Sequence, residues 1–207
     1  MKPTFTGAAL AAGAGCIFAA WCLMPDAATN DARHILVAVA SARPRVHASA
    51  LLQLLGAALL VPGLVAEARD RRSTTLGVVL TLWGAVGMAA DAVFHQLAYE
   101  MTAPGVVADA VLPVMTKMQT TELAPHLPLL FAFLIGPVLL GWQLRRGGSP
   151  TLPAALLMAP AATLPLGILA ARLLGLPKRA VALMLLGEIC LGLAILGLAV
   201  SQRPADR

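Results

Sequence analysis

Long apolar segments constrain the fold of this chain more than any other feature. Six of them run approximately over residues 5–23, 48–66, 75–98, 127–144, 152–173 and 180–200. Each provides about 20 mainly apolar residues, enough for an α-helix to cross the roughly 30 Å hydrocarbon core of a bilayer. Because open sheet edges cannot be satisfied in lipid, and because the segments do not alternate, we predict helices. The sequence therefore predicts an all-α, polytopic membrane bundle of about six helices, with residues 1–207 as one transmembrane domain.

Composition excludes a soluble protein. Hydrophobic residues make up 59% of the chain and charged residues only 12%, whereas soluble domains carry about a quarter charged residues. The net charge of +5 comes from basic residues in short clusters beside apolar segments, such as those at 69–72 and 145–146. Such clusters are typical of membrane-flanking loops rather than of a nucleic-acid interface. The lipid bilayer is thus the predicted partner, with other membrane subunits as further candidates.

The basic residues also predict an orientation. With the N-terminus inside, eight of the 15 lysines and arginines are cytoplasmic: Lys2, Arg69, Arg71, Arg72, Arg145, Arg146, Arg203 and Arg207. The compact clusters in short loops favour this orientation under the positive-inside rule. We predict a multi-pass protein of the cytoplasmic membrane with both termini cytoplasmic and an uncleaved first span.

Two longer connections, 24–47 and 101–125, are predicted to lie at the membrane surface. The first contains Thr29-Asn30-Asp31, a typical helix start. The second places apolar residues at helical spacing, namely Val107, Val111, Val114 and Met118. Because two spans separate the connections, we expect both on the same, outer face.

Patterns within the spans predict packing faces and a kink. The first span has small residues at i, i+4 spacing: Ala8, Ala12, Cys16 and Ala20. In the third span one stripe runs from glycine to polar residues and is expected to face the interior: Gly84, Gly87, Met88, Asp91, His95 and Tyr99. The fifth span contains Pro153, Pro160 and Pro165. Each proline removes a helix hydrogen bond, so we expect a kink there.

The first connection carries a resemblance to a known family. The run Pro25-Asp26-Ala27-Ala28-Thr29 is followed by Ile35-Leu36 and by an arginine-containing start of the second span. This pattern resembles a bacterial multi-span membrane family, domain of unknown function 4386, over roughly residues 5–100. The resemblance implies a bacterial cytoplasmic-membrane protein of about six or seven helices. It implies no catalytic residues.

Polar residues are predicted to gather near the outer face. Counting helices places all four histidines there: His34, His47, His95 and His126. At 1.5 Å rise per residue, Asp91 lies about 10 Å and Glu188 about 12 Å below that face, with Gln53 at a similar depth. Ionisable groups at such depths are normally paired, protonated or functional. We therefore predict a buried polar cluster of Asp91, Glu188 and Gln53 beneath the histidines.

Asp91 and His95 are four residues apart and share a helix face. A carboxylate beside one imidazole nitrogen fixes the tautomer and directs the other nitrogen towards a metal or substrate. The alternative interpretation is a polar pair that only holds helices together.

Four hypotheses use these residues, and none identifies an enzyme or a catalytic residue. The first is a site for zinc or another transition metal, with His47, His95 and His126 as ligands and Asp91 behind His95. The second is b-type haem bound between His47 and His95. The third is a non-enzymatic structural or accessory subunit of a membrane complex. The fourth is a proton-coupled transporter that uses Asp91 and Glu188, although no inverted repeat supports it.

Overall fold

A computed structural model describes residues 5–25, 31–122, 126–148, 151–175 and 177–201. Within these ranges the regular structure is entirely helical, which confirms the predicted all-α class. The α-helices are α1 Phe5–Leu23, α2 Ala32–Ser41, α3 Arg43–Asp70, α4 Thr75–Met101, α5 Ala108–Lys117, α6 Leu127–Arg146, α7 Thr151–Met158, α8 Pro160–Leu174 and α9 Lys178–Ser201. A 3₁₀ turn, Arg72–Thr74, precedes α4, and a π-helical turn, Met118–Glu122, continues α5.

Five of the described helices, α1, α3, α4, α6 and α9, are long and apolar enough to cross a membrane. The predicted fifth span is divided into α7 and α8, which are bent by 41°. Together they are long and apolar enough to form either a broken sixth span or a re-entrant loop. The break falls immediately before Pro160, where the proline cannot donate the next helix hydrogen bond. By length and composition, the described helices thus fit a protein that crosses a membrane several times.

The long helices form a closed ring around one apolar core. Helix α1 packs between α3 and α9, α4 packs between α3 and α6, and α7 closes the ring between α6 and α9. Helix α8 lies outside the ring, mainly against α9. Fully buried side chains fill the centre, among them Leu10, Ile17, Leu60, Leu140, Leu157 and Leu193.

Glycines bring α4 and α6 into backbone contact. A Cβ added to Gly84 would overlap the backbone of Phe133, and one added to Gly136 would overlap the backbone of Thr81. Gly87 likewise faces Leu129 of α6. This confirms that the predicted stripe of α4 faces the bundle interior.

The predicted packing stripe of the first span is wrong at its first two positions. Ala8 and Ala12 are exposed, whereas Cys16 is half-buried and Ala20 is buried. The buried face of α1 consists instead of Gly7, Ala9, Leu10, Gly13, Ala14, Ile17 and Ala20. Gly13 lies against the backbone of Gly56 on α3, so glycine rather than alanine determines where this helix approaches its neighbour.

The two long connections meet at one end of the ring, where α3 begins and α4 ends. There α2 packs on α5 and on both long helices, and α5 packs on α2 and α4. They surround a second apolar cluster of Ala32, Leu36, Val39, Val46, Ala98 and Met115. An ion pair of 2.8 Å joins Arg33 Nη2 to Asp109 Oδ1 across the two connections. We call α2 and α5 the cap, and this end of the ring the capped end.

The start of α2 follows the predicted helix signal in part. The Asp31 carboxylate caps the helix by accepting from the backbone N–H groups of Arg33 and His34. These two hydrogen bonds hold the pKa of Asp31 below its ordinary value of 3.8. The other predicted cap residues, Thr29 and Asn30, lie outside the described residues.

Candidate functional site

All four histidines lie at the capped end, as the helix count predicted. His34 is on α2, His47 is in the first turns of α3, His95 is near the end of α4, and His126 directly precedes α6. His34 is largely exposed and pairs with Asp31 at 3.3 Å. It is an ordinary surface residue of the cap.

Asp91 lies between α3 and α4 and has polar partners on both. Gln53 Nε2 donates a hydrogen bond of 2.9 Å to Asp91 Oδ2. His95 Nε2 lies 3.7 Å from the same oxygen, which is too long for a hydrogen bond. The sequence predicts His95 as the first-choice partner of Asp91 and Glu188 or Gln53 as the next. The shorter contact comes from Gln53, and it links two helices.

The two nitrogens of His95 have different surroundings. Nε2 faces the Asp91 carboxylate, whereas Nδ1 is buried and has no hydrogen-bond partner among the described residues. A carboxylate beside one imidazole nitrogen favours the proton on that nitrogen. Nδ1 has almost no accessible surface, so a ligand in the space beside His95 would reach it only after a rotation of the imidazole ring. The predicted role of His95 as a ligand oriented by Asp91 stays a prediction.

A cavity of about 230 Å³ lies beside His95, beneath the cap. Its wall is formed by the end of α1, α2, the beginning of α3, the end of α4, α5 and the π-helical turn: Met24, Pro25, Ile35, Ala38, Val39, Val46, Asp91, Phe94, His95, Ala98, Met115, Met118 and Gln119. A π-turn inserts extra backbone into a helix and often occurs at functional sites. Here that turn supplies Met118 and Gln119 to the cavity.

His47 belongs to a separate polar chain between α3 and α4. Its Nδ1 lies 2.9 Å from Gln96 Oε1, and Gln96 Nε2 donates to Glu100 at 3.0 Å. The His47 ring stacks on Tyr99 with a centroid separation of 4.8 Å. Arg43 covers that tyrosine ring at 4.2 Å. His47 does not line the cavity beside His95, so the predicted haem pair does not share this space.

The predicted metal set is not assembled. His126 contacts the edge of Phe94 at 4.7 Å, while His47 contacts Tyr99. In the described residues no group of three or more His, Cys, Asp or Glu side chains could hold a metal ion. The reason is angular: Phe94 and His95 are adjacent in sequence and therefore point about 100° apart around α4. The sequence places His47, His95 and His126 at a similar depth, but their side chains do not converge on one point.

Glu188 has its own partner at a different place in the ring. Its Oε1 accepts a hydrogen bond of 2.8 Å from Thr163, between α9 and α8. Asp91 bonds to Gln53 between α4 and α3. The predicted cluster of Asp91, Gln53 and Glu188 therefore contains only the first two, and the proposed proton exchange between Asp91 and Glu188 has no direct contact to support it.

Methionines are the site residues that sequence analysis missed. Met24, Met115 and Met118 come from three separate segments and all line the cavity beside His95. The available signal was their position, since all three lie in or beside the two long connections. A methionine at an apolar position of a helix is usually an ordinary core residue, and so this signal is weak.

The chain gives no match when compared with protein-family models, with curated proteins and with solved structures. The resemblance of residues 5–100 to the bacterial multi-span family stays a prediction.

Proposed function

We propose that this chain is a multi-pass protein of the bacterial cytoplasmic membrane that binds a metal ion in the cavity beneath the cap. His95 is the central ligand, and Asp91 orients it from behind. One observation carries this proposal: His95 Nδ1 is buried without a hydrogen-bond partner among the described residues, in a side chain that lines the cavity.

The energetics favour a ligand at this nitrogen. A buried polar atom without a partner costs about 1–3 kcal/mol. A metal ion supplies the missing partner, and the Asp91 carboxylate provides the second interaction that zinc-type and copper-type histidine ligands usually make.

The surroundings support a site that is reached from outside the cell. If the arginine clusters at 69–72 and 145–146 mark the cytoplasmic side, the cap lies on the outer side. The ligand then meets the cavity between α2, α5 and the end of α4, without crossing the apolar core.

A second candidate function is a structural or accessory subunit in which the same groups only join helices. The hydrogen bond of 2.9 Å between Gln53 and Asp91 favours it, because that bond links α3 to α4 without any ligand. Under this hypothesis the unpartnered His95 nitrogen has no role.

Metal analysis of the detergent-purified protein separates the two candidates. We expect a stoichiometric metal ion in the wild type and in His34→Ala, which changes an exposed histidine of the cap, and its loss in His95→Ala. Circular dichroism and gel filtration should show all three proteins folded. A metal-free wild type after metal supplementation, or metal retained in His95→Ala, contradicts the proposal. The same samples should show no haem absorption band, and a band lost in His95→Ala would favour haem as the ligand instead.

A further inference from the structure

We infer that the metal bound beneath the cap is a soft monovalent ion, Cu(I), held by His95 Nδ1 and by thioether sulfurs of Met24, Met115 and Met118. This inference rests on the proposed function and names the chemical class of its ligand.

The three methionines share one space with His95 although they come from separate parts of the chain. Met24 directly follows α1, Met115 is on α5, and Met118 opens the π-helical turn. All three line the cavity of about 230 Å³. Met115 and Met118 are buried, at 1% and 7% exposure, and so they are not surface residues that happen to lie nearby.

The donor set selects the metal. Thioether sulfur is a soft, neutral donor that suits Cu(I), whereas Mg²⁺ and Ca²⁺ require oxygen ligands. Zinc sites use combinations of Cys, His and carboxylate ligands, and the cavity offers one histidine and one carboxylate. That carboxylate, Asp91, already accepts the hydrogen bond of Gln53. Cu(I) is the ion for which this lining provides enough donors.

Charge balance agrees with a monovalent ion. A neutral imidazole and three thioethers add no charge to the ion they surround, so the complex would carry its full positive charge into an apolar setting. The Asp91 carboxylate lies 3.7 Å from His95 Nε2, directly behind the ligand. One carboxylate compensates one positive charge, and a divalent ion would leave an excess charge that is costly to bury.

Two features must change when the metal binds. The His95 ring must rotate, because Nδ1 has almost no accessible surface, and one existing contact must yield. Gln119 Nε2 lies 3.9 Å from Met115 Sδ. Methionine sulfur is a weak acceptor, and this contact is long, so an ion can replace it. Gln119 lines the same cavity and can turn away within it.

Competitive titration of the full chain in detergent tests the inference. The probes are Cu(I) under anaerobic reducing conditions, with a chromophoric Cu(I) chelator as competitor, and Zn²⁺ in parallel with a zinc chelator. We expect one equivalent of Cu(I) to be retained against the chelator. Met115→Leu and Met118→Leu should each weaken Cu(I) binding at least tenfold. X-ray absorption of the Cu(I) complex should show sulfur neighbours.

Met158→Leu is the control, because Met158 is a half-buried residue of α7 that does not line the cavity. Leucine replaces methionine with little change of volume, so all three variants should remain folded. Cu(I) affinity that is unchanged in both cavity variants overturns the inference. Zn²⁺ bound in place of Cu(I), and lost in His95→Ala, overturns the inference and leaves the proposed function standing. Binding of neither ion overturns both.

Discussion

The two ends of the helix ring differ in the partners of their polar groups. At the end that carries the arginine clusters, which we call the arginine end, Gly77 N–H donates to Gln143 Oε1 at 3.0 Å and Gly77 carbonyl accepts from Thr81 at 2.7 Å. Buried Glu67 lies 3.4 Å from Arg71. At the capped end, His95 Nδ1 and Gln53 Oε1 are buried without hydrogen-bond partners in the described part of the chain.

One face of α4 shows the origin of this difference. Towards the arginine end it presents Gly77 and Gly84, against which the backbone of α6 packs directly. Towards the capped end the same face presents Asp91 and His95, which need space and polar partners. A protein that needed only a stable bundle could continue the glycine packing to the end of the helix. The change from glycine to polar residues therefore separates a part of α4 that packs directly on α6 from the part that contains the proposed site.

The largest effect is expected from Gly84→Ala at the packed part of this face. The new methyl group would overlap the backbone of Phe133, which cannot rotate away as a side chain can. Overpacking of this kind costs about 1–3 kcal/mol, and a backbone contact places it at the upper end. We expect a reduced free energy of unfolding in detergent, measured by titration with a denaturing detergent.

Gly15→Ala is the matched control, because a Cβ at Gly15 would meet nothing within 4 Å. Its stability should equal or slightly exceed that of the wild type. Equal destabilisation of both variants would mean that the close contact between α4 and α6 is not the cause.

An intermediate loss of stability is expected from Gln53→Leu, which changes the residue of α3 that faces the polar part of α4. The change removes the hydrogen bond of 2.9 Å to Asp91 and leaves that carboxylate with His95 alone. Interhelical hydrogen bonds in membranes contribute about 0.6 kcal/mol and at most about 1.7 kcal/mol. We expect a loss near the upper value, measured by the same unfolding titration.

The double variant Gln53→Leu/Asp91→Leu measures the interaction between these two side chains. Because it also removes the unpaired carboxylate, its loss should be smaller than the sum of the two single losses. A strictly additive result would mean that Gln53 and Asp91 do not interact.

The smallest expected effect is a dependence of the stability of the cap on pH. The pKa of Asp31 is lowered by the backbone N–H groups of Arg33 and His34, so the folded state prefers the carboxylate. A lowered pKa adds stability that is fully present above the unfolded value, near 3.8, and is lost as pH falls through the lower folded value. Hydrogen exchange of α2 amides, corrected for the intrinsic rate, should therefore show less protection below that range.

Asp31→Asn provides the comparison, since asparagine also caps helices but does not titrate. Its α2 amides should show no such pH dependence. If wild type and variant lose protection in parallel, the acid effect arises elsewhere in the cap.

Local signals predicted much of the fold. Apolar segments predicted the long helices, Asp31 marked the start of α2, and Pro160 marked the break between α7 and α8. These features depend on a few neighbouring residues, namely on span length, a capping side chain and a missing N–H group. The depth of His47, His95 and His126 also follows from the sequence, because the helical rise per residue is constant.

Rotation of each helix about its axis was decided only by tertiary packing. In α1 the alanines at 8 and 12 and the glycines at 7 and 13 offer small residues on several faces, and contact with α3 and α9 selected the glycines. The same kind of selection on α4 places His95 and Phe94 in the cavity wall and brings Phe94 against His126. The three cavity methionines meet only because α1, α5 and the π-helical turn converge there. Such convergence depends on contacts between distant segments, whereas length, capping and depth are properties of one segment at a time.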